Sequence, residues 1–311
     1  MNGGSGGSLV SYRYRSYGLT IETPFACDGW EPADGNTNMD VVAVDGVVAN
    51  RLPAAVVSHP RFDAAPGLFL HRGGPRTGRL LVQGGNRVVV QRRAEADEAV
   101  LAKQFGASAV PAVMRHRGLL VIHASAAVLD EGAVLIAGHS GAGKSTTLAA
   151  LLKRGFRMLS DDVSVVRFGK DDELEVLPGP ARVRLTKRSA AGVGIEVTND
   201  TGNSVGPVRK RAVPTEHSMA TAAAPLRALF ILRIGGRERV TITTLAGTEK
   251  FQAVLACVCG PLLEDDHPQL FPLLRCVLEA VPGFELQRPG DRWSAEEVAD
   301  RVLGAAGACH R

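Results

Sequence analysis

The chain has 311 residues, 45% of them hydrophobic, and a formal net charge of +4. It is long enough to bury the core of one large domain or two ordinary ones, and its small net charge gives no indication of a nucleic-acid or membrane partner. The five cysteines, an odd number without C-x-x-C spacing, argue against a disulfide framework and a zinc site. No apolar run approaches the roughly 20 residues of a membrane span, and no signal-peptide core is evident. The composition therefore predicts a cytoplasmic protein.

An N-terminal β-rich domain is predicted for residues 9–115. Residues 1–8, MNGGSGGS, are typical of a flexible linker or a disordered tail. Three segments predict β-hairpins, because glycine and asparagine supply the positive φ angles of tight turns: YRYRSYGLTIE, MDVVAVDGVVANRL with its Asp45-Gly46, and GRLLVQGGNRVVVQRR with its Gly84-Gly85-Asn86. EADEAVLAKQF predicts a helix, and Pro111 is expected to interrupt the segment after it. An exposed strand edge in such a domain is a candidate surface for docking an extended peptide.

A different pattern begins near Gly118 and defines the second predicted domain, residues 116–311. LLVIHASAAVL and AVLIAG are near-continuous apolar runs, which predict strands buried on both faces with a turn at residues 130–132 between them. STTLAALLKRG predicts a helix that ends at Gly155, and FRMLS and VSVVRF predict two further strands. These elements indicate an α/β fold.

The rest of this domain is predicted to mix a polar segment with strands and helices. Beyond Pro178 a basic, glycine-bearing segment runs to about Thr215. LRALFILRI and RVTITTL predict strands, and roughly the last sixty residues predict helices. The sequence SAEE, Ser294 to Glu297, predicts a capping box at the start of the final helix.

A phosphate-binding loop is the most specific motif of the chain. The pattern G-x-x-x-x-G-K-S occurs between a predicted buried strand and a predicted helix, which is the context such a loop requires. Glycines let backbone N–H groups surround phosphate oxygens, the lysine reaches the β and γ phosphates of ATP, and the serine hydroxyl is a ligand of Mg²⁺. The predicted nucleotide-binding residues are Gly138, His139, Ser140, Gly141, Ala142, Gly143, Lys144, Ser145 and Thr146.

Asp161 and Asp162 follow this loop more closely than the second acidic motif does in most phosphate-loop proteins. The helix after Lys144 is short and the chain reverses at Gly155, so the strand FRMLS returns the acidic pair toward the phosphate end of the sheet. A carboxylate there can hold the magnesium shell or accept the proton of an attacking hydroxyl. Aspartates are also common in turns between strands, and a histidine in an apolar run, such as His123, is otherwise typical of a buried core.

The order of these motifs resembles the HPr kinase/phosphorylase family, whose core has a histidine, a phosphate loop and then R-G-h-R-x-h-x-D-D. In this chain the corresponding residues are His123, the loop GHSGAGKS, and R-G-F-R-M-L-S-D-D from Arg154 to Asp162. The resemblance covers residues 118–166 without a gap. It implies a P-loop kinase core of the HPr kinase and PEP carboxykinase type, preceded here by the small β-rich domain.

The same resemblance implies roles for the site residues. Asp162 corresponds to the aspartate that accepts the proton of a serine hydroxyl during phosphorylation, and His123 corresponds to the family histidine. Lys144 and Ser145 correspond to the loop lysine and serine, while Asp161 would support the magnesium or its waters together with Ser145. The implied cofactors are ATP and Mg²⁺.

A second signature of the family, E-I-R-G-x-G, is missing. The comparable region reads PGPARVRLTKRSAAGVGIE, with a faint echo at residues 192–194 and Glu196 in a different place. The chain is more similar to divergent relatives found with lasso-peptide gene clusters, which phosphorylate a serine of a precursor peptide. Two stretches carry that likeness, Tyr17 to Phe25 and Val281 to Val302, and neither contains evident chemistry.

Two basic runs have roles that the sequence leaves open. Arg182, Arg184, Lys187 and Arg188 could steady a transferred phosphate or an acidic peptide, with Arg184 the first candidate for catalysis, or they form a solvated strand face. Residues 209–211, Arg-Lys-Arg, lie in a polar segment where a solvated loop is the expectation.

The predicted function is transfer of the γ-phosphate of ATP to a serine or threonine hydroxyl of a peptide or small protein, with a ribosomal natural-product precursor as the favoured substrate. A serine kinase of a carrier protein, a small-molecule kinase and a nucleotide-binding switch are the alternatives. A switch typically has a distal aspartate after a strand and a mobile glutamine or threonine segment, and no convincing one is found in the sequence. The oligomeric state stays open, and a homo-oligomer is compatible with the sequence.

Overall fold

The structure is a computed structural model that describes residues 11–35, 37–130, 132–195, 210–235, 238–263 and 267–308. The chain divides into two units between Val113 and Met114, two residues before the boundary that the sequence predicts. Both units contain a large β-sheet and the helices are few, so this is a mixed α/β protein. Within the described ranges, no helix has the length and apolar character needed to cross a membrane.

The first unit contains a nine-stranded sheet. Its strands are β1 (Tyr12–Ser16), β2 (Leu19–Thr23), β3 (Glu31–Pro32), β4 (Val41–Asp45), β5 (Val57–His59), β6 (Phe62–Ala65), β7 (Leu68–Arg72), β8 (Gly78–Gln83) and β9 (Arg87–Arg92). They lie in the order β3-β1-β2-β4-β9-β8-β7-β6-β5, so β3 and β5 form the two edges. Along β8, buried and half-buried side chains alternate, because successive side chains of a strand point to opposite faces.

Two of the three predicted hairpins are confirmed and one is wrong. β1 and β2 pair antiparallel across Tyr17-Gly18, both at positive φ, and β8 and β9 pair across residues 84–86. β4 ends at Asp45, but it lies between β2 and β9 and is parallel to both. Parallel neighbours need long connections rather than a tight turn, so strand pairing overrides the local turn signal of Asp45-Gly46.

The predicted helix is confirmed as α1 (Glu98–Gln104). The helical path continues through a π-helical turn, Phe105–Ala109, into α2 (Val110–His116). Pro111 is the second residue of α2, so the expected interruption there is wrong. Proline removes one N–H donor from this continuous helical path, and the path accommodates it directly after the wider π-helical turn.

The second unit contains a second nine-stranded sheet and a two-stranded ribbon. Its strands are β10 (Leu120–Ile122), β11 (Ala124–Leu129), β12 (Gly132–Ala137), β13 (Arg157–Ser160), β14 (Ser164–Phe168), β15 (Leu174–Leu177), β16 (Arg182–Thr186), β17 (Lys210–Pro214), β18 (Ala224–Gly235), β19 (Thr241–Leu245) and β20 (Gly283–Pro289). The sheet runs β10-β14-β15-β18-β12-β11-β13, with β20 paired to both β18 and β19. β12, β18 and β20 are parallel at its centre, and β16 and β17 form the ribbon.

Helices cover both faces of this sheet. They are α3 (Lys144–Lys153), α4 (Lys187–Gly192), α5 (Gly247–Leu255), α6 (Leu270–Ala280) and α7 (Ala295–Ala308), and short 3₁₀ turns occur at Lys170–Asp172 and Glu216–Ser218. Leu135 of β12 packs into a core with α5 and α6, whereas its neighbours Val134 and Ile136 pack into a second core with α3, α4 and α7. This layering places the connection from β12 to α3 at the carboxyl end of the parallel strands, where open α/β sheets bind ligands.

Two strand predictions for this unit are corrected by the structure. The run LLVIHASAAVL forms two strands rather than one, because β10 ends at Ile122, β11 begins at Ala124 and His123 lies at the break. The last part of the chain is also not purely helical, since β20 lies between α6 and α7. Much of the basic segment before Thr215, residues 196–209, lies outside the described residues.

The predicted capping box of α7 does not form. The Ser294 hydroxyl is buried without a hydrogen-bond partner in the described structure. Glu297 instead accepts hydrogen bonds from the Val240 N–H group and the Arg292 guanidinium. Glu297 therefore forms tertiary contacts in place of the predicted local capping contact.

Asp63 of β6 is a fully buried carboxylate in the first unit. It forms ion pairs with Arg72 at 2.7 Å and Arg51 at 3.1 Å, and it accepts hydrogen bonds from the Ser58 hydroxyl and the Leu52 N–H group. The hydrogen bond from Arg72 leads the contacts that hold the pKa of Asp63 well below its usual range. A depressed pKa means that this carboxylate stabilises the fold above the unfolded-state pKa, and that the contribution is lost as the pH falls toward the folded-state value.

Asp63→Asn is expected to lower the free energy of unfolding by about 2 kcal/mol at pH 7, because it leaves the largely buried Arg72 guanidinium without its anion. The difference from wild type should shrink below about pH 4, where the unfolded wild-type carboxyl takes up its proton. Urea unfolding at several pH values measures both effects. Asp34→Asn is the control, because the Asp34 side chain is exposed and pairs with the exposed Arg15 at 3.7 Å. An equal effect of the two substitutions would contradict the assignment.

Candidate functional site

The loop of residues 138–143 connects β12 to α3, as the phosphate-loop pattern predicts. Gly138, Gly141 and Gly143 all have positive φ angles, of 139°, 87° and 112°. A Cβ atom at Gly138 would lie 2.3 Å from the carbonyl oxygen of Leu232 in β18, so only glycine permits this approach to the neighbouring strand. The glycines therefore let the chain turn sharply from the sheet into the first turn of α3.

Lys144 and His123 form a hydrogen-bonded pair beneath the loop. The His123 Nδ1–H group donates to the carbonyl oxygen of Asp162 at 2.7 Å, which leaves Nε2 to accept from the Lys144 Nζ at 3.1 Å. The same ammonium donates to the carbonyl oxygens of Gly138, at 2.8 Å, and His139, at 3.3 Å. Burial, followed by the charge of Lys144, lowers the pKa of His123, which agrees with a neutral ring. All three ammonium N–H groups thus have protein partners.

Asp161 connects the loop to two other elements. Its Oδ1 accepts hydrogen bonds from Ser145 at 2.9 Å and from Ser125 of β11 at 2.6 Å. Its Oδ2 accepts from the backbone N–H of Arg184 in β16 at 2.9 Å. Serine hydroxyl and carboxylate oxygens are ligands that suit Mg²⁺, so the donor set fits this ion. Ser145 and Asp161, the predicted metal residues, are therefore brought together.

Asp162 has a different environment from its neighbour. It lies between β13 and β14 with φ at 67°, a left-handed conformation that aspartate adopts more readily than most side chains. This conformation turns its carbonyl toward His123 while its carboxylate forms an ion pair with Arg184 at 3.3 Å. The Asp162 side chain remains 26% exposed. Its carboxylate can accept a further hydrogen bond from a molecule outside the chain.

The two carboxylates also differ in the direction in which their pKa values are shifted. Burial and the negative charge of Asp162 raise the pKa of Asp161. Burial acts on Asp162 in the same direction, but the positive charges of Arg184, Lys210 and Lys144 outweigh it and hold the pKa of Asp162 below its ordinary value. Asp162 is therefore the more acidic of the two residues.

The remaining predicted loop residues form the outer surface of the loop. His139, Ser140 and Gly141 are exposed, whereas Ala142 is buried. Thr146 follows in the first turn of α3, where its hydroxyl donates to the Ser189 hydroxyl at 3.1 Å. Because these exposed residues lie at the tip of the loop, backbone groups form its inner face.

The basic runs separate in the structure. Arg184 contacts both aspartates, whereas Lys187 and Arg188 are exposed residues of α4. Lys210 begins β17, where it pairs with Thr186, so the expectation of a solvated loop is wrong for Lys210 and Arg211. Arg209 lies outside the described residues.

Sequence reasoning missed three contributors to this site. Ser125 is signalled only by being a polar residue in an apolar run. Lys210 acts on Asp162, His123 and Lys144 through its charge. Arg288 of β20 donates to the carbonyl oxygens of Ala142 at 2.6 Å and Gly141 at 3.2 Å. No local motif identifies either basic residue, because both reach the site through the pairing of distant strands.

Chemically, the arrangement can bind a phosphate chain, hold a hard cation and present a carboxylate to a hydroxyl group. Its donors are the loop N–H groups, Lys144 and Arg184, and the oxygen ligands are Ser145 and Asp161. Asp162 lies on the accessible side of this group.

Comparison with known proteins adds a likeness in structure alone. No protein-family model matches the chain, and no curated protein matches its sequence. Among solved structures, the chain is similar to the HPr(Ser) kinase/phosphatase of Coxiella burnetii, with 12% sequence identity and a TM-score of 0.32. The match covers 60% of this chain and 96% of that chain. A likeness of this size carries no argument about the site, which stands on its own geometry.

Gly138→Ala is expected to destabilise the second unit by about 3 kcal/mol, because its Cβ meets the Leu232 carbonyl and its φ is unfavourable for alanine. Gly141→Ala is the matched control. Its φ is also positive, but a Cβ there meets nothing within 4 Å, so about 1 kcal/mol is expected. Thermal and urea unfolding of both variants measures the difference. Equal losses would show that the contact with β18 is unimportant.

Proposed function

We propose that the protein is an ATP- and Mg²⁺-dependent kinase that transfers the γ-phosphate to a serine or threonine hydroxyl of a peptide. The favoured substrate is the precursor of a ribosomal natural product such as a lasso peptide. The observation that carries the proposal is the position of the Asp162 carboxylate. It is ionised and partly exposed, and it directly follows the aspartate that binds the loop serine.

The two aspartates support different roles because their partners differ. Asp161 accepts hydrogen bonds from Ser125, Ser145 and the Arg184 backbone, so its oxygens are directed at the loop. The Asp162 side chain has only Arg184 as a partner among the described residues. An acceptor hydroxyl can therefore donate its hydrogen to Asp162 without displacing a structural contact.

In the proposed transfer, each bond that forms or breaks and the proton that moves can be assigned. The hydroxyl oxygen of the acceptor bonds to the γ-phosphorus, the bond from that phosphorus to the ADP oxygen breaks, and the hydroxyl proton passes to Asp162. Lys144 and Arg184 stabilise negative charge on the phosphate oxygens, and the Asp162 carboxylate orients the hydroxyl. Mg²⁺, with Ser145 and Asp161 as its protein ligands, would neutralise phosphate charge.

The first unit is proposed to dock the substrate peptide at the free edge of β5. The opposite edge strand, β3, contains Pro32, which has no N–H group to offer a partner strand. The backbone of Ala64 in β6 faces β5, where its carbonyl accepts from the Val56 N–H group just before the strand, so the N–H group of Val57, opposite Ala64, also faces β6. Because donors alternate along a strand, the next N–H group, that of Ser58, faces the open edge. An extended peptide can pair there by strand addition.

Transfer of label from γ-labelled ATP to the peptide encoded beside the gene is expected for wild type with Mg²⁺. Asp162→Asn should lower kcat by about 100-fold or more and leave nucleotide affinity nearly unchanged. Asparagine is the matched substitution, because it keeps the shape and tolerates the left-handed conformation but loses the charge. Lys144→Ala should abolish both transfer and tight nucleotide binding.

Each departure from this result identifies a specific error. Full transfer by Asp162→Asn would refute the role of Asp162 as the proton acceptor. Label released only as free phosphate would favour a nucleotide-hydrolysing switch, and label on a carrier protein but not on the peptide would favour a carrier-protein kinase.

Ser58→Pro is expected to weaken peptide binding at least several-fold relative to Ser58→Ala while ATP affinity stays unchanged, because proline removes an outward N–H group at an edge where it is tolerated and both variants lose the hydroxyl that bonds to Asp63. Titration of the peptide into the full chain measures the affinity, and hydrogen exchange should slow around residues 56–59 on binding. Glu31→Ala in β3 is the control at the other edge. Slowed exchange confined to β3, or equal peptide binding by Ser58→Pro and Ser58→Ala, would sink the assignment of β5.

A further inference from the structure

A cavity of about 160 Å³ adjoins the outer side of the phosphate loop. Gly143 of the loop and Thr146 and Thr147 in the first turn of α3 form one wall. This volume is smaller than the roughly 300 Å³ at the lower limit of sites that enclose a whole drug-sized ligand. The cavity therefore suits one part of a ligand whose remainder lies in the loop.

The charge of the cavity is positive. Arg188 of α4 and Arg288 of β20 both line it, and no carboxylate is found among its lining residues. Among the described residues, Arg288 donates only to the carbonyl oxygens of Gly141, Ala142 and Pro289. Burial, followed by the charge of Arg188, lowers the pKa of Arg288. Two guanidinium groups that repel one another across a cavity favour an anionic group between them.

A buried hydroxyl without a partner also lines the cavity. The Ser294 side chain is 5% exposed, and its Oγ has no hydrogen-bond partner in the described structure. An unpaired buried hydroxyl costs free energy, so native structures rarely keep one without a reason. A ligand hydroxyl in the cavity would supply the missing partner.

Trp293 provides a fixed aromatic wall. Its Nε1–H group donates to Glu296 at 2.5 Å, and its six-membered ring lies against the Cα of Gly192, where an added Cβ would come within 2.4 Å of it. An indole held on two sides offers a flat surface at little entropic cost. Planar nitrogen bases stack on such surfaces.

From these contacts we infer that the cavity binds the nucleoside 5′-phosphate part of the nucleotide. The base lies against Trp293, a sugar hydroxyl bonds to Ser294, and Arg188 and Arg288 hold the phosphate next to the sugar. This inference rests on the proposed function, since it requires that the loop binds the outer phosphates. It assigns residues that the phosphate-loop pattern does not contain.

Binding of Mg²⁺·ADP and of inorganic tripolyphosphate to the full chain separates the cavity from the loop. Calorimetric titration should show that Trp293→Ala weakens ADP binding about tenfold or more, the usual effect of losing a base–aromatic stack, and changes tripolyphosphate binding less than twofold. Trp293→Phe should recover most of the ADP affinity. The unchanged tripolyphosphate affinity also shows that the variants are folded.

Two further substitutions test the polar contacts. Ser294→Ala should weaken ADP binding several-fold while its melting temperature stays equal to or above that of wild type, because an unpaired buried hydroxyl is removed. Arg188→Ala should weaken ADP binding, whereas Lys187→Ala, an adjacent exposed cation outside the cavity lining, should not.

The outcomes distinguish this inference from the proposed function. If wild type binds neither ADP nor tripolyphosphate, the loop assignment fails and the inference falls with it. If wild type binds both, the cavity assignment is overturned when Trp293→Ala and Ser294→Ala either leave ADP affinity unchanged or weaken both ligands equally, or when Arg188→Ala leaves ADP affinity unchanged, while nucleotide binding by the loop stands.

Discussion

The Asp161 carboxylate is the contact on which the arrangement of the site depends. Three donors from β11, α3 and β16 meet on its two oxygens, so one buried side chain fixes where the loop helix begins and where the ribbon β16–β17 approaches the sheet. A buried carboxylate is costly unless its oxygens are satisfied, and removal of any of these donors would leave it short of a partner. Because Asp162 directly follows Asp161 in the chain, the hydrogen bonds of Asp161 also fix the position of Asp162.

The left-handed backbone at Asp162 gives these neighbouring carboxylates opposite surroundings. In an extended strand the two side chains would simply alternate between the faces of the sheet. With φ at 67°, the Asp162 carbonyl reaches His123 while its side chain reaches Arg184 at the accessible side of the site. A strained conformation of this kind costs about 1–3 kcal/mol and persists only where surrounding contacts enforce it. Here the residues that make these contacts also affect the pKa values of the two aspartates.

Much of the site could be predicted from sequence because its central residues are close along the chain. The loop, its helix and the short return through FRMLS to the acidic pair depend on local signals, namely glycine turns and apolar runs. Lys210 and Arg288 could not be placed in this way, since one depends on the β16–β17 pairing and the other on the β18–β20 pairing. The same reason explains the wrong hairpin prediction in the first unit, where β4 is parallel to both neighbouring strands despite a turn signal at its end. Local chemistry predicts turns, whereas partner choice is a property of the whole sheet.

The hydrogen bonds of Lys144 limit what the loop can contribute to nucleotide affinity. Its ammonium already donates to His123 and to two loop carbonyls, so phosphate binding exchanges bonds rather than adding them, and the net gain per bond is small. The benefit of those bonds is a loop whose lysine is held in place before the ligand arrives, which reduces the ordering cost of binding. Affinity that distinguishes a nucleotide from bare phosphate must then come from groups beyond the loop. Arg288 can contribute both to holding the loop in place and to recognising the nucleotide, because it bonds to the loop carbonyls on one side and lines the neighbouring cavity on the other.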